Sequence, residues 1–158
     1  MQNFKLDIYK KENQGSLLEY QTLNLDESNS IFLKIKNLIK CSSKDLDDEI
    51  IFKSAEKKLF QCIDVKDEID QDLIAHIFLD IIKLPLDSKV YIFWDINSFI
   101  DQFNIEKLIE NWEYIWYDTS DEAILIYIEF KSILMLITDH GFIKLNYAIS
   151  QSISYSRA

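Results

Sequence analysis

AILIYIEFKSILMLITDHGFIKLNY, residues 123–147, decides the fold class. Apolar and β-branched residues crowd this stretch, and two short polar breaks, Lys131-Ser132 and Asp139-His140-Gly141, divide it into three runs. The runs Ala123 to Phe130, Ile133 to Thr138 and Phe142 to Tyr147 are predicted strands. Connections this short join only antiparallel neighbours, so the stretch reads as a meander, with Gly141 supplying the positive φ of a tight hairpin loop. Both faces of the first strand are apolar: Ala123, Leu125 and Tyr127 on one, Ile124, Ile126, Ile128 and Phe130 on the other. Helices on one side cannot cover both. Either the sheet curls over a second layer, or its outer face meets another chain, a second copy included.

Working toward the N-terminus, WEYIWYDTSDEA (residues 112–123) alternates aromatics and ends in a polar tip. Glu113 to Tyr117 is therefore expected as a fourth strand, joined to the meander by an acidic hairpin turn. Before it, Asn104 can cap a short helix whose Ile105, Leu108, Ile109 and Trp112 recur at the spacing of one buried stripe. KVYIFWD (residues 89–95) reads as a buried strand, followed by a short helical passage.

Three amphipathic helices are expected upstream: one from Ser28 to Cys41, one capped by Ser42 or Ser43 with a stripe of Ile51, Phe52, Ala55, Leu59 and Cys62, and one from Asp67 to Leu84, stopped by Pro85. The first residues, Phe4 to Lys10 and Leu17 to Leu23 around Gly15, are expected as a hairpin. The fold class is α+β, an N-terminal hairpin and helices packed on a C-terminal antiparallel β-meander. Residues 1–149 form a single domain, with 150–158 a frayed tail.

Composition removes several functions. The chain has 158 residues, 48% of them hydrophobic and 28% charged, the balance of a packed domain rather than a disordered one. It has two glycines and a single arginine, Arg157, so neither a phosphate loop nor a GxGxxG turn can be written. No apolar run is long enough for a membrane span or a signal-peptide core, and a cytoplasmic protein is expected. Cys41 and Cys62 stand apart, which suits two reduced, mostly buried thiols. The net charge is -10, and residues 101–130 hold eight acidic groups against Lys107 alone. Such a surface repels phosphate backbones and attracts basic proteins.

Three groupings could carry chemistry. Asp72, His76 and Asp80 stand at i, i+4 and i+8, a spacing that suits a metal but equally an exposed ion-pair face. His140 beside Asp139 could do acid–base work, yet adjacent turn residues diverge and no nucleophile accompanies them. Turn and ion-pair chemistry account for both groups, so no catalytic, metal or cofactor site is expected there. The third is the 112–123 stretch. Its Glu113, Trp116, Tyr117, Asp118, Asp121 and Glu122 read as a structural hairpin with an acidic turn, as paired carboxylates for hydrolytic work, or as aromatic anchors beside carboxylates, which is what a surface meeting a basic protein uses.

In size, acidity and single-domain form, and in a sheet bearing Trp116, Asp118, Asp121 and Glu122, the chain resembles the small acidic immunity proteins of bacterial toxin-immunity systems. That resemblance implies a cytoplasmic inhibitor that covers the cleft of a basic, nuclease-type toxin with carboxylates, binding neither nucleic acid nor membrane. The rival expectations are a small enzyme using carboxylates or His140, and an assembly subunit that associates through its apolar sheet face.

Overall fold

The computed structural model describes residues 1–41, 48–94, 100–117 and 123–149. The fold is α+β, and its centre is the predicted meander. Strands β5 (Ala123–Ile128), β6 (Ile133–Thr138) and β7 (Phe142–Leu145) follow one another antiparallel. Ser132 takes the left-handed conformation (φ 51°) at the first turn and Gly141 (φ 79°) at the second. Strand β3 (Lys89–Phe93) pairs with the other side of β5, with Tyr91 opposite Tyr127.

Among the described residues the sheet has seven strands in the order β1-β4-β3-β5-β6-β7-β2, every neighbouring pair antiparallel. The remaining members are β1 (Gln21–Thr22), β2 (Gln61–Asp64) and β4 (Asp101–Asn104). The short helical passage expected between Asp95 and Asn104 is replaced over Asp101–Asn104 by β4, while residues 95–99 lie outside the described ones. β2 replaces the expected end of the second helix.

Pairing register sorts the apolar residues into two cores. Ile124, Ile126 and Ile128 align with Val90, Ile92, Ile133, Met135 and Ile137 on one face; Leu125 and Tyr127 align with Tyr91, Phe93, Leu134 and Leu136 on the other. Each face is covered by helices of the same chain. Ile31, Phe32 and Ile35 of α2 (Leu25–Leu38) and Ile51 and Ala55 of α3 (Asp48–Lys58) cover the second face. The first is covered by α4 (Gln71–Ala75), which continues as a π-helix over His76–Ile81, and by α5 (Ile105–Glu110) and α6 (Trp112–Ile115). The sheet is therefore the middle of three layers. Of the two expectations for the outer apolar face, a second layer of the same chain or contact with another chain, the packing matches cover by the same chain, supplied by helices rather than by a curl of the sheet.

Local chemistry sets the helix ends. Asn24 Oδ1 accepts from the Glu27 N–H at 2.9 Å while Glu27 Oε2 accepts from the Asn24 N–H at 3.0 Å, a capping box that starts α2 three residues before the expected Ser28. Asp70 caps α4 through Leu73 N–H at 2.9 Å, later than the expected start at Asp67. Lys83, at φ 58°, ends the π-helix before Pro85, and the Leu84 N–H returns to the Phe78 carbonyl at 2.9 Å. Ser42 and Ser43, expected as caps of the next helix, lie outside the described residues.

Two expected strands are helices. Phe4 to Lys10 belongs to α1 (Asn3–Glu12), so the N-terminal hairpin is replaced by a helix and the short edge strand β1. The side chain that α1 buries is Lys5, fully out of solvent, while Phe4 is 43% exposed, which defeats any reading based on apolar alternation. Glu113 to Tyr117 is not a strand either. Trp112, Ile115 and Trp116 extend the stripe of Ile105, Leu108 and Ile109, and this 3.6-residue period prevails over the β propensity of the aromatics. The thiols also differ from expectation: Cys62 lies on the outward face of edge strand β2 and is exposed, and Cys41 is half-buried.

Candidate functional site

The acidic-aromatic stretch is organised around the end of α6. The Trp112 indole N–H donates to the Ile69 carbonyl at 2.7 Å, which ties α6 to the segment leading into α4. At its other end, Lys5 Nζ donates to the Ile115 carbonyl at 2.7 Å, placing a cation at a helix C-terminus, where the dipole favours it. The same ammonium lies 4.6 Å from the Trp94 ring centroid and 5.4 Å from that of Tyr117, and Phe4 packs on Tyr117 at 5.8 Å. Tyr117 is thus set in place by α1.

Between α6 and the start of α4 opens a cleft of about 380 Å³, lined by Glu68, Asp70, Trp112, Glu113, Trp116 and Tyr117 among others. Trp112 and Trp116 are buried and form its floor, Tyr117 is half-buried, and Glu68 and Glu113 are exposed at its sides. Neither Glu68 nor Glu113 makes a hydrogen bond or ion pair among the described residues. Asp70 is engaged in capping α4. Of the six recognition residues read from the sequence, the structure brings Glu113, Trp116 and Tyr117 to this cleft; Asp118, Asp121 and Glu122 lie outside the described residues. Trp116 is 5% exposed, so its indole serves as floor more than as a projecting anchor. Glu68 and Asp70 were not identified as site residues in the sequence; the acidic run DEID (residues 67–70) looked like the first turn of a helix, and only the tertiary fold sets it against α6.

Beneath this region lies a buried polar node. Asp101, fully buried on β4, pairs with the Met1 ammonium and accepts from Thr22 Oγ1 at 2.6 Å and from the Trp94 indole at 2.8 Å. Its neighbour Tyr20 has its phenol pushed up, first by burial and then by the Asp101 charge.

The histidines stand elsewhere. His76 Nδ1 meets Asp80 Oδ2 at 2.7 Å on a solvent-facing turn, an i,i+4 pair. His140, 77% exposed, is 3.6 Å from Asp139. Among the described residues no group of three or more His, Cys, Asp or Glu side chains is placed to hold a metal ion. No helix among them is long and apolar enough to cross a membrane. Compared with known proteins, the chain matches no family model, no curated protein and no solved structure.

Proposed function

We propose that this protein is a cytoplasmic protein-binding inhibitor of the immunity type, neutralising a basic, nuclease-type toxin by laying carboxylates over its cationic cleft. The observation that carries the reading is the charge: a chain of net charge -10 whose residues 101–130 hold eight acidic groups against one lysine; of the eight, Asp101 is buried and paired, and Glu110 and Glu129 are bound to lysines. Glu113 from that segment stands unpaired among the described residues beside an aromatic-floored cleft, with Glu68 added from the chain before α4. Exposed carboxylates next to aromatic surface suit the capture of a basic protein, because long-range attraction raises the encounter rate while apolar area holds the complex.

The test is functional and stoichiometric. Co-expression of the chain with its basic partner should restore growth that the partner alone abolishes, and the purified chain should block the partner's activity at one-to-one ratio. Growth that stays abolished, with activity undiminished at excess inhibitor, contradicts the reading.

A further inference from the structure

Helix α1 is anchored differently from the helices that cover the sheet. Those bury apolar stripes: Ile31, Phe32 and Ile35 in α2, and Leu73, Ile74, Ile77 and Phe78 along α4 and its π-helical continuation. The side chain that α1 buries completely is Lys5, while Leu6, Ile8 and Tyr9 are half-buried and Phe4 is exposed. What sits deepest is therefore charge. Lys5 donates to the Ile115 carbonyl and lies against the Trp94 and Tyr117 rings, and the Met1 ammonium, just ahead of the helix, pairs with Asp101. Around them Phe4 packs on Tyr117, Tyr9 meets the Tyr114 ring at 4.9 Å, and Tyr114 Oη donates to Glu12 Oε2 at 2.9 Å. Directly after α1, Gln14 (φ 54°) and Gly15 (φ 84°) are both left-handed, and a Cβ added at Gly15 would meet nothing within 4 Å. Two consecutive left-handed residues in open space make a joint.

We propose that α1 is a strap that swings off α6 as one unit about Gln14 and Gly15, and melts as it leaves, while both cores of the sheet stay folded. Three features favour this over opening with the rest of the chain. The ammonium groups regain their hydration when they leave, which offsets much of what their contacts contribute. A helix of 10 residues is marginal in water alone, so α1 is helical only while docked. The left-handed strain of Gln14 is released on opening, and buried Leu18 keeps the chain beyond the joint seated in the core. Opening bares the Trp94 and Tyr117 rings and the Asp101 carboxylate, groups that already receive two ammonium ions from α1 and Met1. The strap is thus an internal occupant of a cation-receiving surface at the end of α6. Its role in gating that surface rests on the reading of the protein as a binder of a basic partner; the opening itself does not.

The experiment is amide hydrogen exchange of the full chain, without a partner, in rising sub-denaturing urea. The amides of residues 7–13 should share one opening equilibrium, exchange at least about a hundredfold faster than those of β5 and β6, and respond little to urea. Ile126→Val, in the fully buried part of β5, should speed exchange in β5 and β6 about fivefold and leave α1 unchanged, since the core is intact in both the closed and the open strap. Gly15→Ala meets no atom but holds φ 84° only under strain, so it should speed α1 about fivefold. Lys5→Met keeps the length and loses the ammonium, and should speed α1 about tenfold. An α1 that follows Ile126→Val as closely as β5 does overturns the strap, because it then opens only with the whole chain. Protection that climbs gradually from Asn3 to Glu12 marks end fraying and overturns it too, as does an α1 unmoved by Gly15→Ala. The two readings fail separately. A basic partner that binds a chain whose α1 opens only globally removes the strap alone; a strap that opens in a chain with no basic partner stands, and removes the partner.

Discussion

Replacing Asp101 by alanine should cost about 4 kcal/mol of stability, because its carboxylate is the shared acceptor of three groups from distant parts of the chain. The side chain is fully buried, pairs with the Met1 ammonium and accepts from Thr22 Oγ1 and the Trp94 indole. Breaking a buried charged pair from one side costs about 3–5 kcal/mol, and each donor left unsatisfied adds about 1–3 kcal/mol. Relaxation of the Met1 amine toward water returns part of this, which sets the figure near the lower range. Asp101→Asn keeps an acceptor for one donor but removes the charge, so about half the loss is expected. Urea unfolding measures both. With a slope of about 2 kcal/mol per molar, the alanine variant should unfold about 2 M earlier. A double-mutant cycle with Trp94→Phe then isolates the indole bond and should show a coupling of about 1–2 kcal/mol. An alanine variant that loses less than about 1 kcal/mol refutes the reasoning, since the node would then be open to solvent or unpaired.

Three further outcomes follow from single sites. Tyr91 has its phenol pushed up to about 12 by burial first and then by the Glu129 charge, so folding favours its neutral form. That stabilisation is complete below the ordinary tyrosine value near 10 and is lost as pH rises through about 12; absorbance titration should show a late-ionising tyrosine that Tyr91→Phe removes, and identical curves contradict this. Gly141→Ala should destabilise by about 1–2 kcal/mol, since φ is 79° and the added carbon would lie 3.1 Å from the Val65 carbonyl oxygen; a neutral melt would show that the turn relaxes. The Lys34 bond holds the Glu129 carboxyl below its usual range, a contribution present at neutral pH and lost as pH falls through the carboxylate range. Both side chains are 43% exposed, so Lys34→Met should cost under about 1 kcal/mol and less at acid pH; a larger loss that persists there points to packing instead.

The parts of the fold legible in sequence were those where hydrophobicity alone sets the period. Ile133 to Thr138 is read to its ends, and Ala123 to Phe130 overshoots β5 by only two residues, because both faces of these strands are buried and nearly every position in them is apolar. β4 was missed because DQFN shows no apolar period: what buries Asp101 is an ion pair and hydrogen bonds that come from Met1, Thr22 and Trp94. α1 was missed for the related reason that a lysine faces inward, satisfied by a carbonyl and aromatic rings from other elements. α6 was legible in principle. The stripe from Ile105 through Trp112 continues at Ile115 and Trp116, but aromatic alternation suggested a strand. At the cleft, the cluster Glu113, Trp116 and Tyr117 is local and could be read; Glu68 and Asp70 come from a segment that only the packing of Trp112 on Ile69 brings near.

The central claim, that carboxylates around this region steer a basic protein partner, is tested most directly by association rates at low and physiological ionic strength. The comparison sets the wild-type chain beside one carrying Glu113→Gln, Asp118→Asn, Asp121→Asn and Glu122→Gln. The account predicts that the wild-type rate falls steeply with salt and that the substituted chain associates about tenfold more slowly at low salt, the two converging as salt is raised. Rates that match at low salt, with no salt dependence in either chain, contradict it.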